Sequence, residues 1–288
     1  MGRLIRAISE NGGILFCAVD STDIVRQAET YHKTSAVTTA ALGRLLTAGA
    51  MMGAMLKHED DSLTLRMKGD GPAGTMLVVA NGAGHVKGYV ANPVVELPLR
   101  PDGKLNVGAA VGHDGTLTVI KDMGLKEPYV GQIPLVSGEV AEDITQYYAA
   151  SEQIPTVCAL GVLVAPDLSV LCAGGYLLQL LPGATEQEIT MLENNIAKMK
   201  SVTEMLSEGM TLEDMMECAM EGFSPNILDE SVTSYVCDCS EERIERALLS
   251  LGKQELESLA KEQPEAEVCC QFCDKVRKFD ISTLLEKL

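Results

Sequence analysis

Positive charge is scarce in this sequence: 23 Lys and Arg stand against 41 Asp and Glu, a formal net charge of −18, with a pI near 4.6. A protein whose affinity comes from neutralising phosphates needs the opposite balance, so nucleic acid is not an expected partner. A secretion signal is also missing. Met1 to Ala7 runs into Glu10, Asn11 and Gly12 without the apolar core of a signal peptide, which places the expected location in the cytoplasm, where thiols stay reduced. The one stretch of membrane-spanning length, Ser35 to Leu56, carries Arg44 near its middle. An arginine there costs about 2.5 to 3.5 kcal/mol on insertion, and the Ser, Thr and Gly around it add little drive into lipid. A buried helix of a globular domain is the expectation, and no membrane partner. Nucleotide machinery is absent too, because Gly69-Asp-Gly-Pro-Ala-Gly74 lacks both a Gly-Lys-Ser/Thr ending and the Gly-x-Gly-x-x-Gly register. It reads as a tight turn. None of His32, His58, His85 or His113 has Glu two positions on, as a zinc deaminase would require. No Ser-His-Asp or Glu-based constellation can be assembled from spacing, so no enzyme is expected.

What is present is a chain of 288 residues, 46% hydrophobic, long enough for a sizeable core and two domains. Its most specific signal is Cys237-Asp-Cys239 followed by Cys270-Gln-Phe-Cys273. Two close thiolate pairs brought together make a four-sulfur cage, the closed tetrahedral environment of structural zinc. One zinc ion per chain is expected, held by Cys237, Cys239, Cys270 and Cys273. A thioredoxin-type motif needs its Cys-x-x-Cys between a buried strand and a helix, whereas Cys270 follows the polar run Lys261 to Glu267. Exposed thiolate sulfur is also what peroxide and hypochlorous acid attack, so such a cage can sense oxidants as well as staple a fold. Cys17, Cys158 and Cys172 sit in apolar runs and read as buried thiols. Cys218 and Cys269 are less easily placed, and Cys269 could compete with Cys270 as a ligand or a disulfide partner.

Leu4 to Ile8 and Ile14 to Val19 form a hairpin, and Ser21 or Thr22 caps a helix running to about Tyr31. Along Ser35 to Leu56, Ala36, Ala40, Gly43, Thr47, Ala50 and Ala54 mark a narrow small-residue face. Strands are expected at Leu63 to Met67, Thr75 to Ala80, His85 to Val90, Thr116 to Lys121, Val130 to Leu135, Val157 to Val164 and Val170 to Ala173, with a helix at Ala141 to Ser151. The fold class is α+β: an N-terminal mixed-sheet domain with a long buried helix (1–183), a helical Met- and Glu-rich connector (184–231) and a small four-cysteine zinc module (232–288). In the connector, Thr185 and Glu188 make a capping box, and a second helix runs from Thr211 to Gly222. Its methionines either pack the connector onto the first domain or offer an adaptable surface, and both can hold in different redox states. In the module, Ser240 caps a helix that turns Ile244, Ala247, Leu248 and Leu251 inward and ends at Gly252.

Beside the cysteine quartet, several separated motifs stand out: Thr39-Ala-Ala-Leu-Gly-Arg-Leu-Leu-Thr47, Gly69-Asp-Gly-Pro72, Ala91-Asn-Pro93, Ser151-Glu-Gln-Ile-Pro155, Ala173-Gly-Gly175 and Gln179-Leu-Leu-Pro-Gly183. Together they resemble the redox-regulated bacterial chaperones of the thirty-three-kilodalton heat shock protein family. The resemblance spans essentially the whole chain. It implies an ATP-independent holdase that is zinc-bound and largely inactive when reduced. On oxidation it implies disulfides Cys237–Cys239 and Cys270–Cys273, loss of zinc, unfolding of module and connector, and capture of unfolded client proteins, typically by a homodimer. The additional thiols Cys218 and Cys269 leave that pairing open. Two other classes compete: a constitutive zinc-stapled domain binding RNA or protein without a switch, and a thiol oxidoreductase, which ranks last because a zinc cage buries the nucleophile it needs.

Overall fold

A computed structural model describes residues 1–288. The chain divides into two compact units, Met1–Tyr235 and Val236–Leu288.

In the first unit, β1 (Gly2–Ile8) and β2 (Ile14–Asp20) pair antiparallel around a turn in which Gly12 has φ +73°. Helices α1 (Thr22–His32) and α2 (Ala36–Ala54) follow. Then come β3 (Ser62–Lys68), β4 (Thr75–Asn81), β5 (Val86–Val90), the short α3 (Val107–Val111), β6 (Thr116–Asp122) and β7 (Tyr129–Pro134). α4 (Ala141–Tyr147) runs into a π-helical turn at Tyr148–Glu152, and β8 (Thr156–Val164) and β9 (Val170–Leu180) close the series. Three helices come next, α5 (Glu186–Lys198), α6 (Val202–Ser207) and α7 (Leu212–Ala219), and then β10 (Asn226–Thr233). One five-stranded sheet has the order β10-β1-β2-β9-β8, the other β5-β4-β3-β6-β7. Every pairing within them is antiparallel; the mixed character expected of the sheet is confined to an isolated parallel bridge between Val86 and Tyr235.

Helix α2 lies in the core between the two sheets. Leu4, Val19, Ala173 and Leu177 of the first sheet and Leu65, Met76, Val78 and Val119 of the second share its hydrophobic cluster. The expected small-residue face is therefore only part of a helix in which every residue but Ala36 and Arg44 is buried. Small residues let both sheets approach: a Cβ on Gly49 would lie 2.7 Å from Val78 Cγ1. Arg44, the lone charge, is held by Glu139, whose Oε2 accepts from Nη1 at 2.6 Å. No helix is long and apolar enough to cross a membrane.

The first sheet is covered on its other face as well. Ile5, Ala7, Ile14, Phe16, Ala18, Tyr176 and Leu178 pack with Leu192, Val202, Met205, Leu212, Met215, Met216 and Met220 from α5–α7. Burial on both faces explains why β2 reads as a continuous apolar run rather than an alternating one. Both connector caps form: Thr185 Oγ1 accepts from Glu188 N and Thr211 Oγ1 from Asp214 N. Asn195 Nδ2 donates to the Glu221 carbonyl at 2.9 Å, tying α5 to the end of α7.

Three expectations needed revision. β9 extends well past Ala173, to Leu180, through Gly174 and Gly175. There glycine serves packing rather than turning, since a Cβ on Gly175 would sit 2.6 Å from the Ala159 carbonyl oxygen. The α-helix beginning at Ala141 ends at Tyr147, where the π turn takes over. In the second unit, α8 (Glu241–Leu249) is capped by Ser240, but Leu249 joins Ile244 and Leu248 against the core, while Ala247 and Leu251 are exposed. Gly252, with φ +83°, caps the start of α9 (Lys253–Glu262). The hairpin β11 (Glu265–Cys269) and β12 (Val276–Asp280) and the terminal α10 (Ile281–Glu286) complete a unit whose buried cluster is small: Leu256, Ala266, Phe279, Ile281 and Leu284.

Candidate metal centre

The second unit brings Cys237, Cys239, Cys270 and Cys273 together, with all four sulfurs within 4.8 Å of one another. Local structure presents each pair. Cys270 and Cys273 sit on the turn joining β11 to β12: Cys270 N donates to the Lys275 carbonyl at 3.0 Å and Asp274 N to the Cys270 carbonyl at 2.8 Å, with Asp274 at φ +53°. Cys237 and Cys239 lie in the extended approach to α8, just before its capping serine, whose Oγ accepts from Arg243 N. Arg277 of β12 fastens this approach, its Nη2 donating to the Cys239 carbonyl at 2.8 Å.

Cys237 Sγ is 3.6 Å from Cys270 Sγ, and Cys239 Sγ is 3.4 Å from Cys273 Sγ. A tetrahedron of sulfurs at about 2.3 Å from a central zinc has an edge of about 3.8 Å, so these separations suit one tetrahedral ion with little rearrangement. Four soft sulfur donors and no carboxylate or imidazole favour a thiophilic ion over magnesium or calcium. The residues present fit such a group.

The thiols differ in acidity. Burial works against ionisation of Cys239, but hydrogen bonds from Cys273, Cys237, Cys270 and Arg277 outweigh it and bring this thiol down to about 7. Burial pushes Cys237 and Cys273 up. Cys239 is also the thiol next to the guanidinium of Arg277, and that cation offsets part of the negative charge four thiolates would gather. Arg277 was missed in reading the sequence. Its signal was the basic run Lys275, Arg277 and Lys278 directly after the second cysteine pair in an otherwise acidic chain.

The remaining thiols lie elsewhere. Cys269, at the end of β11, is exposed and outside the quartet, and burial followed by the charges of Asp274, Cys270 and Glu267 makes it less acidic than an ordinary thiol. Cys17 is buried in the first unit and pushed up to about 12 by that burial; burial raises Cys158 and Cys172 too. Cys218 is exposed on α7.

A family model described as Hsp33 protein matches residues 2–280. The chain belongs to the Hsp33 family. It is 50% identical over 289 residues to a 33 kDa chaperonin of Clostridium perfringens (strain SM101 / Type A), covering 99% of this chain and 92% of that one. It is 48% identical over 285 residues to the 33 kDa chaperonin of Clostridioides difficile (strain 630), covering 99% and 98%. Among solved structures, the Hsp33 homolog of Thermotoga maritima superposes with a TM-score of 0.90 at 36% identity, covering 99% of this chain and 98% of that one. The Hsp33 match thus takes in both units, the one carrying the two large sheets and the one carrying the cysteine quartet.

Proposed function

We propose that this protein is an ATP-independent holdase chaperone switched on by oxidation, working in the cytoplasm on unfolded or aggregation-prone client proteins, and active as a homodimer. The observation that carries the reading is the convergence of four thiols from two distant segments in a unit with a small hydrophobic core. A zinc ion bound there would supply folding free energy on the order of 10 kcal/mol to a module of this size.

In the reduced state Cys237, Cys239, Cys270 and Cys273 hold the ion as thiolates and the module stays folded. Peroxide or hypochlorous acid then takes two electrons for each bond as Cys237 joins Cys239 and Cys270 joins Cys273. Disulfide sulfurs no longer offer thiolate ligands, so the module loses its staple. Loss of order spreads to the connector, and departure of α5–α7 would bare Ile14, Phe16, Tyr176 and Leu178 on the sheet together with the apolar faces of the helices themselves. Two apolar surfaces opened at once are of the kind that captures unfolded chains, and the net charge of −18 keeps such a molecule soluble.

The test is light scattering from a heat-unfolded client with the protein either reduced and zinc-loaded or treated with peroxide under mild heat, while a chromogenic chelator reports released metal. Suppression of aggregation appears only after oxidation and alongside release of about one zinc per chain. Release without gain of client binding would make the quartet a constitutive staple for an RNA- or protein-interaction domain.

A further inference from the structure

Of the chain's 14 methionines, Met191, Met199, Met205, Met210, Met215, Met216 and Met220 fall between residues 191 and 220, half of the total in about a tenth of the length. Met199 and Met210 are half-buried and, with the buried Met205, line a pocket of about 300 Å³ on the connector. All three belong to the hydrophobic cluster that fastens α5–α7 to the first sheet, with Met215, Met216 and Met220. An open pocket therefore borders methionines that hold the connector down. By contrast, Met51, Met67 and Met76 are fully buried in the central core, and Met1 and Met123 are exposed without joining any cluster.

We propose that this methionine cluster is a second oxidation site, separate from the cysteine quartet, at which conversion of Met199 and Met210, and then of Met205, to sulfoxides loosens the connector. Each sulfur gives an electron pair to an oxygen of hypochlorous acid or peroxide and forms one S–O bond. The oxidant leaves as chloride and a proton, or as water, and no carbon bond breaks. The product places a strong hydrogen-bond acceptor where the surroundings are apolar. The nearby ammonium of Lys200 is already engaged by Glu208 at 2.6 Å. The sulfoxide is satisfied by admitting water or by drawing in the ammonium of Lys198, which also lines the pocket, and either one displaces the apolar packing around Met205. Thiols restore a cysteine cage, but sulfoxides require dedicated reductases, so the connector keeps a record of oxidation after the quartet has been reset. This inference concerns the connector alone and does not rest on the zinc reading.

The experiment uses the full-length, zinc-loaded protein treated with hypochlorous acid, then with dithiothreitol and zinc to regenerate the quartet. Sulfoxides are located by peptide mass spectrometry and amide exchange is followed over 186–219. Met199 and Met210 oxidise ahead of Met51, Met67 and Met76, and exchange in α5–α7 stays about tenfold or more faster than in untreated protein until methionine sulfoxide reductases A and B are added. The volume-conserving triple variant Met199→Leu, Met205→Leu, Met210→Leu keeps its protection through the same cycle. Full recovery of protection with thiol reductant alone, or equal loosening of the triple variant, overturns the proposal. The reductase arm uses only the natural protein and decides the matter even where the leucines pack poorly.

Discussion

Cys239 Sγ lies 3.4 Å from Cys273 Sγ, a contact between cysteines 34 positions apart in the chain. The proposed disulfides run the other way, within each close pair, so making them pulls the two halves of the cage apart. Closing a loop of one or two intervening residues costs less entropy than closing one of more than thirty once the module has loosened. Peptide mapping after peroxide treatment should find Cys237–Cys239 and Cys270–Cys273, with Cys218 and Cys269 still alkylatable. Cross-pair bridges such as Cys239–Cys273 would mean that oxidation traps the cage closed.

Removing the metal should unfold the second unit and leave the central core of the first standing. The second unit's buried cluster holds five residues, Leu256, Ala266, Phe279, Ile281 and Leu284, against a central core in the first unit that spans two sheets and a helix. A strong chelator, or Cys239→Ser, should abolish amide protection over Val236–Leu288 because a stabilisation on the order of 10 kcal/mol is lost. Protection at α2 should remain. Simultaneous loss at both places would show the units to be one cooperative block.

The connector's hold can be weakened without touching a sulfur. Thr185→Ala and Thr211→Ala each remove the side chain that caps a connector helix, at a cost of about 1 kcal/mol apiece. Urea titration followed at α5–α7 should show an earlier midpoint for each variant. The oxidised double variant should bind clients at a lower temperature than the natural protein, and an unchanged threshold would count against connector release as the limiting step.

Acid should loosen the same region. Hydrogen bonding to Arg3 holds Glu213 on α7 and Glu230 on β10 below the ordinary glutamate value of 4.5. Groups with lowered folded values contribute stability that is complete above the ordinary value and is lost as pH falls through the folded one. Melting temperature should therefore fall as pH drops below 4.5, and Arg3→Met should flatten that part of the profile. An identical acid slope in natural protein and variant would remove Arg3 from the account.

Gly49→Ala tests the packing of the central helix. The added methyl would meet Val78 Cγ1 at 2.7 Å. Overpacking costs about 1 to 3 kcal/mol and better helix propensity returns at most about 1 kcal/mol, so the variant should unfold at lower denaturant.

Much of this architecture was legible because periodicity and capping act locally. Thr185 with Glu188 and Thr211 with its helix could be read directly, as could most strands of the first unit. What escaped reading depended on distant neighbours. β10, Asn-Ile-Leu-Asp-Glu-Ser-Val-Thr, is an acidic edge strand with only Thr233 buried, and nothing local distinguishes it from a loop. The end of β9 was hidden by Gly174 and Gly175, whose role appears only with Ala159 and Val19 alongside. Spacing pointed to the four cysteines, but the part played by Arg277 depends on where β12 lies against the first pair. Packing of the connector methionines onto the first domain was one of the two readings the sequence allowed, and the fold adds what they meet there: Met205, Met215 and Met220 share a cluster with Phe16 and Tyr176 on the outer face of the first sheet.

The pairing of β1 with β10, Gly2 opposite Thr233, also bears on how the molecule is made. A ribosome delivers the first strand long before its edge partner, so through most of synthesis β1 presents an open row of backbone donors and acceptors. Only when residues 226–233 emerge can that row be covered, and with it comes the last piece of the sheet on which α5–α7 rest. Contacts so far apart in sequence form slowly. During its own birth, a protein proposed to shield other chains would be among those in need of shielding.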